Sequence, residues 1–140
     1  MKAYLDSSVV LRVVLGETGA LSEWSRITQA FTSEIARVEC LRTLDRLRLV
    51  GGLTDRELAQ RRATMLDTLE GFEMIRLNRA ILDRAAAPFP TELRTLDAIH
   101  VASAVLAKER FPALRFATHD AGQATAALAV GLRVMGRTEN

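Results

Sequence analysis

Short apolar runs of strand length alternate with longer stretches of helical pattern along nearly the whole chain, and this alternation limits the fold more than any other feature of the sequence. The runs KAYL (2–5), AFTS (30–33), FEMIRL (72–77), LRFAT (114–118) and RVM (133–135) read as strands. Between them the helix signals are local. A helix-like segment starts at Ser8, and another is expected from about Leu21 to Gln29. Ser33 can cap a long helix that runs through Leu49 and stops at Gly51 and Gly52. Thr54 and Glu57 form a Thr-x-x-Glu capping box, opening a helix that ends near Gly71. Asn78 can cap RAILDRAAA, after which Pro88 and Pro90 break the pattern. The Thr95 hydroxyl can cap LDAIHVASAVLA, which is apolar nearly all round and so belongs at the centre of the packing. AGQATAALAV forms a last helix, ended by Gly131. Strands separated by helices pair in parallel, and the helices cover both faces of the sheet.

The 140 residues fit one domain, 1–140, with enough chain to bury one good core. The longest nearly uncharged stretch, AGQATAALAVGL, is too short to cross a bilayer, and no basic segment followed by a long apolar one marks the N-terminus. The expected location is the cytoplasm, with no membrane association. Cys40 is the single cysteine, so neither an internal disulfide nor a cysteine-rich zinc site is available, and it reads as buried filler. Net charge is only +2, yet setting aside Asp6, Glu39, Asp97 and Asp120 leaves 13 acidic residues against 19 basic ones. That balance permits a basic rim around an acidic centre. Of the basic residues only Lys2 and Lys108 are lysines, and arginine is the side chain suited to bidentate phosphate contacts.

The alternation also places the acids. Asp6 ends the first strand and Asp120 follows the fourth, and in open parallel sheets ligands bind outside the carboxyl ends of the strands. Glu39 lies four residues after Ile35, near the inward face of its helix. Asp97 falls in the first turn of the apolar helix, where the helix dipole favours a negative charge. Each has a plain structural alternative: a helix cap for Asp6, a solvated helix position for Glu39, a dipole partner for Asp97, a turn residue for Asp120. Convergence separates the two readings, because clustered carboxylates repel unless a cation sits among them. The fitting cation is a hard one, magnesium with manganese as a substitute, since the two histidines and Cys40 show no zinc-ligand spacing.

In order and spacing, YLDSSVVL, SEIARVECLR, LRTLDAIHVASA and FATHDAG resemble the four acidic motifs of PIN-domain nucleases, and most closely those of VapC-type toxins of bacterial toxin/antitoxin pairs. The resemblance spans nearly the whole chain and is most specific in LRTLDAIHVASA. It implies a three-layer α/β/α sandwich with a mainly parallel sheet, and a magnesium-dependent endoribonuclease that leaves a 5′-phosphate and a 3′-hydroxyl. It also implies a cognate antitoxin, an RNA substrate and a homodimer. Carried over residue by residue, Asp6, Glu39, Asp97 and Asp120 are the acidic metal site. Thr118 matches the catalytic hydroxyl position two before the last acid, Ser7 the small polar position after the first, and His119 falls where the family varies.

Other residues carry two readings each. His100, three after Asp97, can hydrogen-bond a carboxylate or serve as a packing histidine; Arg94 can meet RNA phosphate, brace the acids or lie exposed; Trp24 can stack on a base or pack at a dimer or antitoxin surface. Two rival enzymes fail on the residues themselves. A phosphoacceptor receiver needs an aspartate ending the third strand and a lysine after the fifth, where Leu77 and Asn78, and Met135 and Gly136, stand. A phosphatase with a nucleophilic aspartate needs Asp-x-Asp after the first strand, but Ser8 takes the second position. The alternative that survives is a catalytically silent PIN-like module that binds RNA or a partner without cutting.

Overall fold

The computed structural model describes residues 1–136. In chain order the elements are β1 (Lys2–Leu5), α1 (Ser7–Val14), β2 (Gln29–Ser33), α2 (Glu34–Leu49), α3 (Asp55–Glu70), β3 (Glu73–Ile75), α4 (Arg79–Ala86), α5 (Thr95–Arg110), β4 (Arg115–Ala117), α6 (Ala121–Ala129) and β5 (Arg133–Met135). The strands form one five-stranded sheet in the order β3-β2-β1-β4-β5, and every pairing is parallel. The sheet is thus built outward from β1, first to β2 and β3 on one side and then, after a crossover, to β4 and β5 on the other.

Strand period sorts the core into two halves. In β1, Ala3 and Leu5 pack into a cluster with Val9, Val10, Cys40, Leu44, Met65 and Leu69, while Tyr4 points the other way into a cluster with Val101, Ala104, Leu114 and Phe116. Helices α1, α2 and α3 therefore cover one face, and α5 and α6 the other. Cys40 is buried filler in the first half. Small residues on α5 (Ala98, Ala102 and Ala104) let it lie close against the sheet, and all three are buried as the apolar helix requires. Among the described residues no helix is long and apolar enough to cross a membrane.

The start signals act as expected for three helices. The Ser33 hydroxyl accepts from the Ile35 N–H, the Asn78 side chain from the Ile81 N–H, and Thr54 and Glu57 make both bonds of the capping box. Two expectations are corrected. The helix from Leu21 to Gln29 is absent; only Trp24–Arg26 makes a single 3₁₀ turn, and Gln29 already belongs to β2. Leu21, Trp24 and Ile27 are spaced by three residues, which is the period of a 3₁₀ turn and not of an α-helix. Thr95 does not cap α5: it is the first helical residue, and Arg94 occupies the cap position without a side-chain bond. The third strand is also shorter than the apolar run FEMIRL, covering Glu73–Ile75.

Candidate active site

The chain reverses direction across the sheet between β1 and β4, and the backbone N–H of Asp6 still donates to the Ala117 carbonyl as the two strands end (3.0 Å). Beyond that point the following helices leave to opposite faces, which opens a crevice at the carboxyl edge. Asp6 sits at its base, 5% exposed. It is a helix cap as well as a candidate ligand: Oδ2 accepts from the Ser8 N–H (3.1 Å) and the Ser8 hydroxyl (2.6 Å). Ser8 Oγ in turn accepts from the His119 N–H (3.1 Å), tying the start of α1 to the loop after β4.

Glu39 reaches the same place from α2. Its Oε1 accepts from the Ser7 hydroxyl (2.9 Å) and lies 2.6 Å from His100 Nε2 on α5. The other ring nitrogen, Nδ1, faces the Tyr4 hydroxyl at 2.7 Å. Burial, and then the charge of Asp6, push the Tyr4 phenol well above its usual value, so it keeps its proton. For His100 burial works against the charged form, but the hydrogen bond with Glu39 and the charges of Asp6, Glu39 and Asp97 outweigh it and raise the imidazole above its ordinary value. His100 is therefore both of the things its sequence position allowed, a fully buried packing side chain and the partner of a carboxylate.

Asp97, in the first turn of α5, and Asp120, at the cap of α6, line an open cleft of about 480 Å³ together with Glu92, Arg94, Gly122 and Gln123. The Asp97 carboxyl is raised above the ordinary carboxylate value by partial burial first, then by the charges of Asp6 and Asp120, with His100 pulling the other way and Glu39 adding to the rise. Asp97 therefore feels the charge of each of the other three acids, while of the four only it and Asp120 line the cleft itself. Arg94 is on the cleft wall, whereas Trp24 is not: it packs against Phe72 (ring centroids 6.1 Å apart) beside a separate apolar recess.

Thr118 is fully buried and reaches the cleft only at second hand. Its hydroxyl donates to Gln123 Oε1 (2.6 Å) and accepts from the Asp120 N–H (3.1 Å). His119 has burial as its largest influence, which lowers it, and its Nδ1 lies 2.7 Å from the Gly136 carbonyl. Three residues of the site escaped sequence reading: Tyr4, Ser8 and Gln123. Only Gln123 left a signal, as the one amide in the Ala- and Gly-rich segment after Asp120.

The donor set suits a hard dication. It is made of carboxylate oxygens, and the nearby Cys40 thiol is pushed up to about 12 by burial and the charge of Glu39, which removes it as a soft ligand at neutral pH. Among the described residues no three His, Cys, Asp or Glu side chains are drawn together as a ready-made metal cage. An ion with few protein ligands that keeps several waters is the kind that fits so open a set.

Comparison with known proteins identifies the family. The model of the PIN domain matches residues 3–128. Ribonuclease VapC46 of Mycobacterium tuberculosis is 36% identical over 104 residues, 72% of each chain. Ribonuclease VapC47 of the same species is 31% identical over 124 residues, covering 84% of this chain and 83% of its own length. A solved member of the VapBC family of toxin-antitoxin systems, VapBC-5 from Mycobacterium tuberculosis, shares the fold with a TM-score of 0.60 at 20% identity, over 98% of both chains. The parallel sheet and these matches agree, and the chain belongs to the PIN-domain family, among its VapC-type members.

Proposed function

We propose that this chain, as a single domain over residues 1–140, is a magnesium-dependent endoribonuclease acting in the cytoplasm as the toxin of a type II toxin/antitoxin pair. The observation that supports the reading best is geometric: Asp97 and Asp120 line one cleft at the carboxyl edge of the sheet, and Gln123 on its wall hydrogen-bonds both Asp120 and the buried Asp6. Asp6, Glu39, Asp97 and Asp120 would hold magnesium, or manganese in its place. When bound, the ion supplies an activated water for attack on phosphorus and a counter-charge for the phosphate oxygens. The chain's own residues do the rest. Ser7 and His100 keep Glu39 in one orientation, Ser8 fixes Asp6, and Arg94 on the cleft wall meets an incoming phosphate.

The partner readings rest on the relatives. Ribonuclease is the printed name of both curated relatives, and toxin-antitoxin systems that of the structural neighbour. An antitoxin would silence this cleft by placing an arginine among the carboxylates in competition with the ion, and by laying an apolar helix in a surface groove; the toxin itself would be a homodimer.

The test is incubation of the purified protein with total RNA, with and without magnesium, followed by mapping of the cut ends. Cuts that need the ion and carry 5′-phosphates are expected. Cutting that survives complete chelation overturns the metal mechanism, and RNA binding without any cutting turns the protein into a silent binding module.

A further inference from the structure

Gln123 is fully buried, yet it lines the cleft and touches both halves of the carboxylate set. Its backbone N–H donates to Asp120 Oδ1 (2.7 Å), and its side-chain Nε2 donates to Asp6 Oδ1 (3.2 Å). It stands at the third position of α6, where a glutamine ordinarily turns back to bond the cap residue's own N–H. Here the Thr118 hydroxyl accepts that N–H instead (3.1 Å), and this frees the amide to point into the crevice. Thr118 also decides which way the amide faces. A hydroxyl has one proton, and with its oxygen accepting from Asp120 that proton goes to Gln123 at 2.6 Å, so the atom it meets is the amide oxygen and the one facing Asp6 is the NH₂. Gly122 keeps the turn tight, since a Cβ there would come within 3.3 Å of Asp120 Oδ1.

We infer that Gln123 is a positioning residue whose amide holds the Asp6 carboxylate for a divalent cation beside Asp120, and that Thr118 orients that amide. The inference rests on the metal reading above. Its chemistry is specific: an amide donates a hydrogen bond to a carboxylate without neutralising it, whereas a lysine or arginine at the same place would fill the position the ion needs. Losing such an outer partner of a ligand lowers metal affinity by about tenfold to a hundredfold.

The experiment uses the full chain, with Mn²⁺ as the probe, and reads free Mn²⁺ by electron paramagnetic resonance alongside RNA cutting and the metal-free melting temperature. The variants are Gln123→Met, which keeps length and removes both polar atoms, Thr118→Val, and the two together. Gln123→Met is expected to weaken Mn²⁺ binding by about tenfold to a hundredfold. The magnesium needed for half-maximal cutting should rise by the same factor, while the rate at saturating magnesium stays near parental. Thr118→Val is expected to weaken Mn²⁺ binding by itself and to add less than that effect in the Gln123→Met background, where only its bond from the Asp120 N–H is left to lose. A lower melting temperature with parental Mn²⁺ affinity would make Gln123 merely structural and overturn the inference, as would additive effects of the two changes. Should Gln123→Met not fold, Thr118→Val alone decides by the same Mn²⁺ measurement. A parent that binds no Mn²⁺ overturns the metal reading and this inference together; a parent that binds it no better than the variants overturns this inference alone.

Discussion

Asp6→Asn separates a helix cap from a metal ligand, and the geometry gives the size of each effect. Asparagine caps helices about as well as aspartate, so the bond from the Ser8 N–H survives. It offers one acceptor oxygen where the carboxylate offers two. With that oxygen turned to Ser8, the new NH₂ faces the Gln123 NH₂, and one buried hydrogen bond becomes a contact between donors. That loss costs about 1–3 kcal/mol. Against it stands the relief of Asp97, whose carboxyl is raised in part by the Asp6 charge. The two oppose each other, and the metal-free melting temperature should move by less than about 8 °C. Cutting behaves differently, falling by at least about a hundredfold if the ion's affinity falls as it does when even outer partners are lost. The magnesium response is the clearest assay. At a concentration one hundred times its dissociation constant the ion stabilises the parent by about 2.7 kcal/mol, but a protein binding it a hundredfold more weakly gains only about 0.4 kcal/mol. Cutting within a few fold of the parent, with an equal magnesium-induced shift, would refute the ligand role and return Asp6 to a cap.

The raised Asp97 carboxyl makes the metal-free fold bind protons more tightly than the unfolded chain, so between its native value and the ordinary 3.8 stability rises as pH falls. His100, raised above 6.5, acts in the same direction, its contribution complete below that value and lost as pH rises through the native one; His119, lowered, loses stability as pH falls below 6.5. The melting-temperature difference between the metal-free parent and Asp97→Asn isolates the first effect, and it should shift in favour of the parent on acidification; a difference independent of pH contradicts it. Tyr4→Phe removes the buried hydrogen-bond partner of His100 Nδ1 and should cost about 1–3 kcal/mol in urea denaturation, together with slower cutting as Glu39 loosens. Thr54→Ala opens the capping box of α3, far from the cleft, and should cost about 1 kcal/mol in the same assay while the cutting rate stays parental.

What could be read from the sequence was whatever the chain writes locally. The capping box at Thr54 and Glu57 lies within one helical turn, as do the caps at Ser33 and Asn78, and all three hold. The parallel sheet followed from the spacing of five apolar runs, and the carboxyl-edge positions of Asp6 and Asp120 followed from the sheet. The site's supporting shell had no such signature. His100 meets Glu39 across 61 positions and Gln123 meets Asp6 across 117, contacts fixed by how α5 and α6 dock and not by any neighbouring residue. Local pattern also misled at Leu21, Trp24 and Ile27, where an apolar spacing of three residues suggested a helix but the chain makes a single 3₁₀ turn before β2. At Thr95 the residue type was right for a cap and the position one residue too late.

The strand order β3-β2-β1-β4-β5 has a consequence for biosynthesis. Asp6 and Glu39 leave the ribosome early, with the strands that stack on one side of β1. Asp97 and Asp120 come later, and Asp120 is fixed only once β4 pairs along the opposite side of β1, a contact between chain segments more than one hundred residues apart. N-terminal segments emerge first, and pairings of long separation are slow to form. A ribosome-bound chain therefore carries half of its carboxylates and an unfilled edge on its first strand, so whatever activity the complete set confers begins only after β4 has emerged and docked.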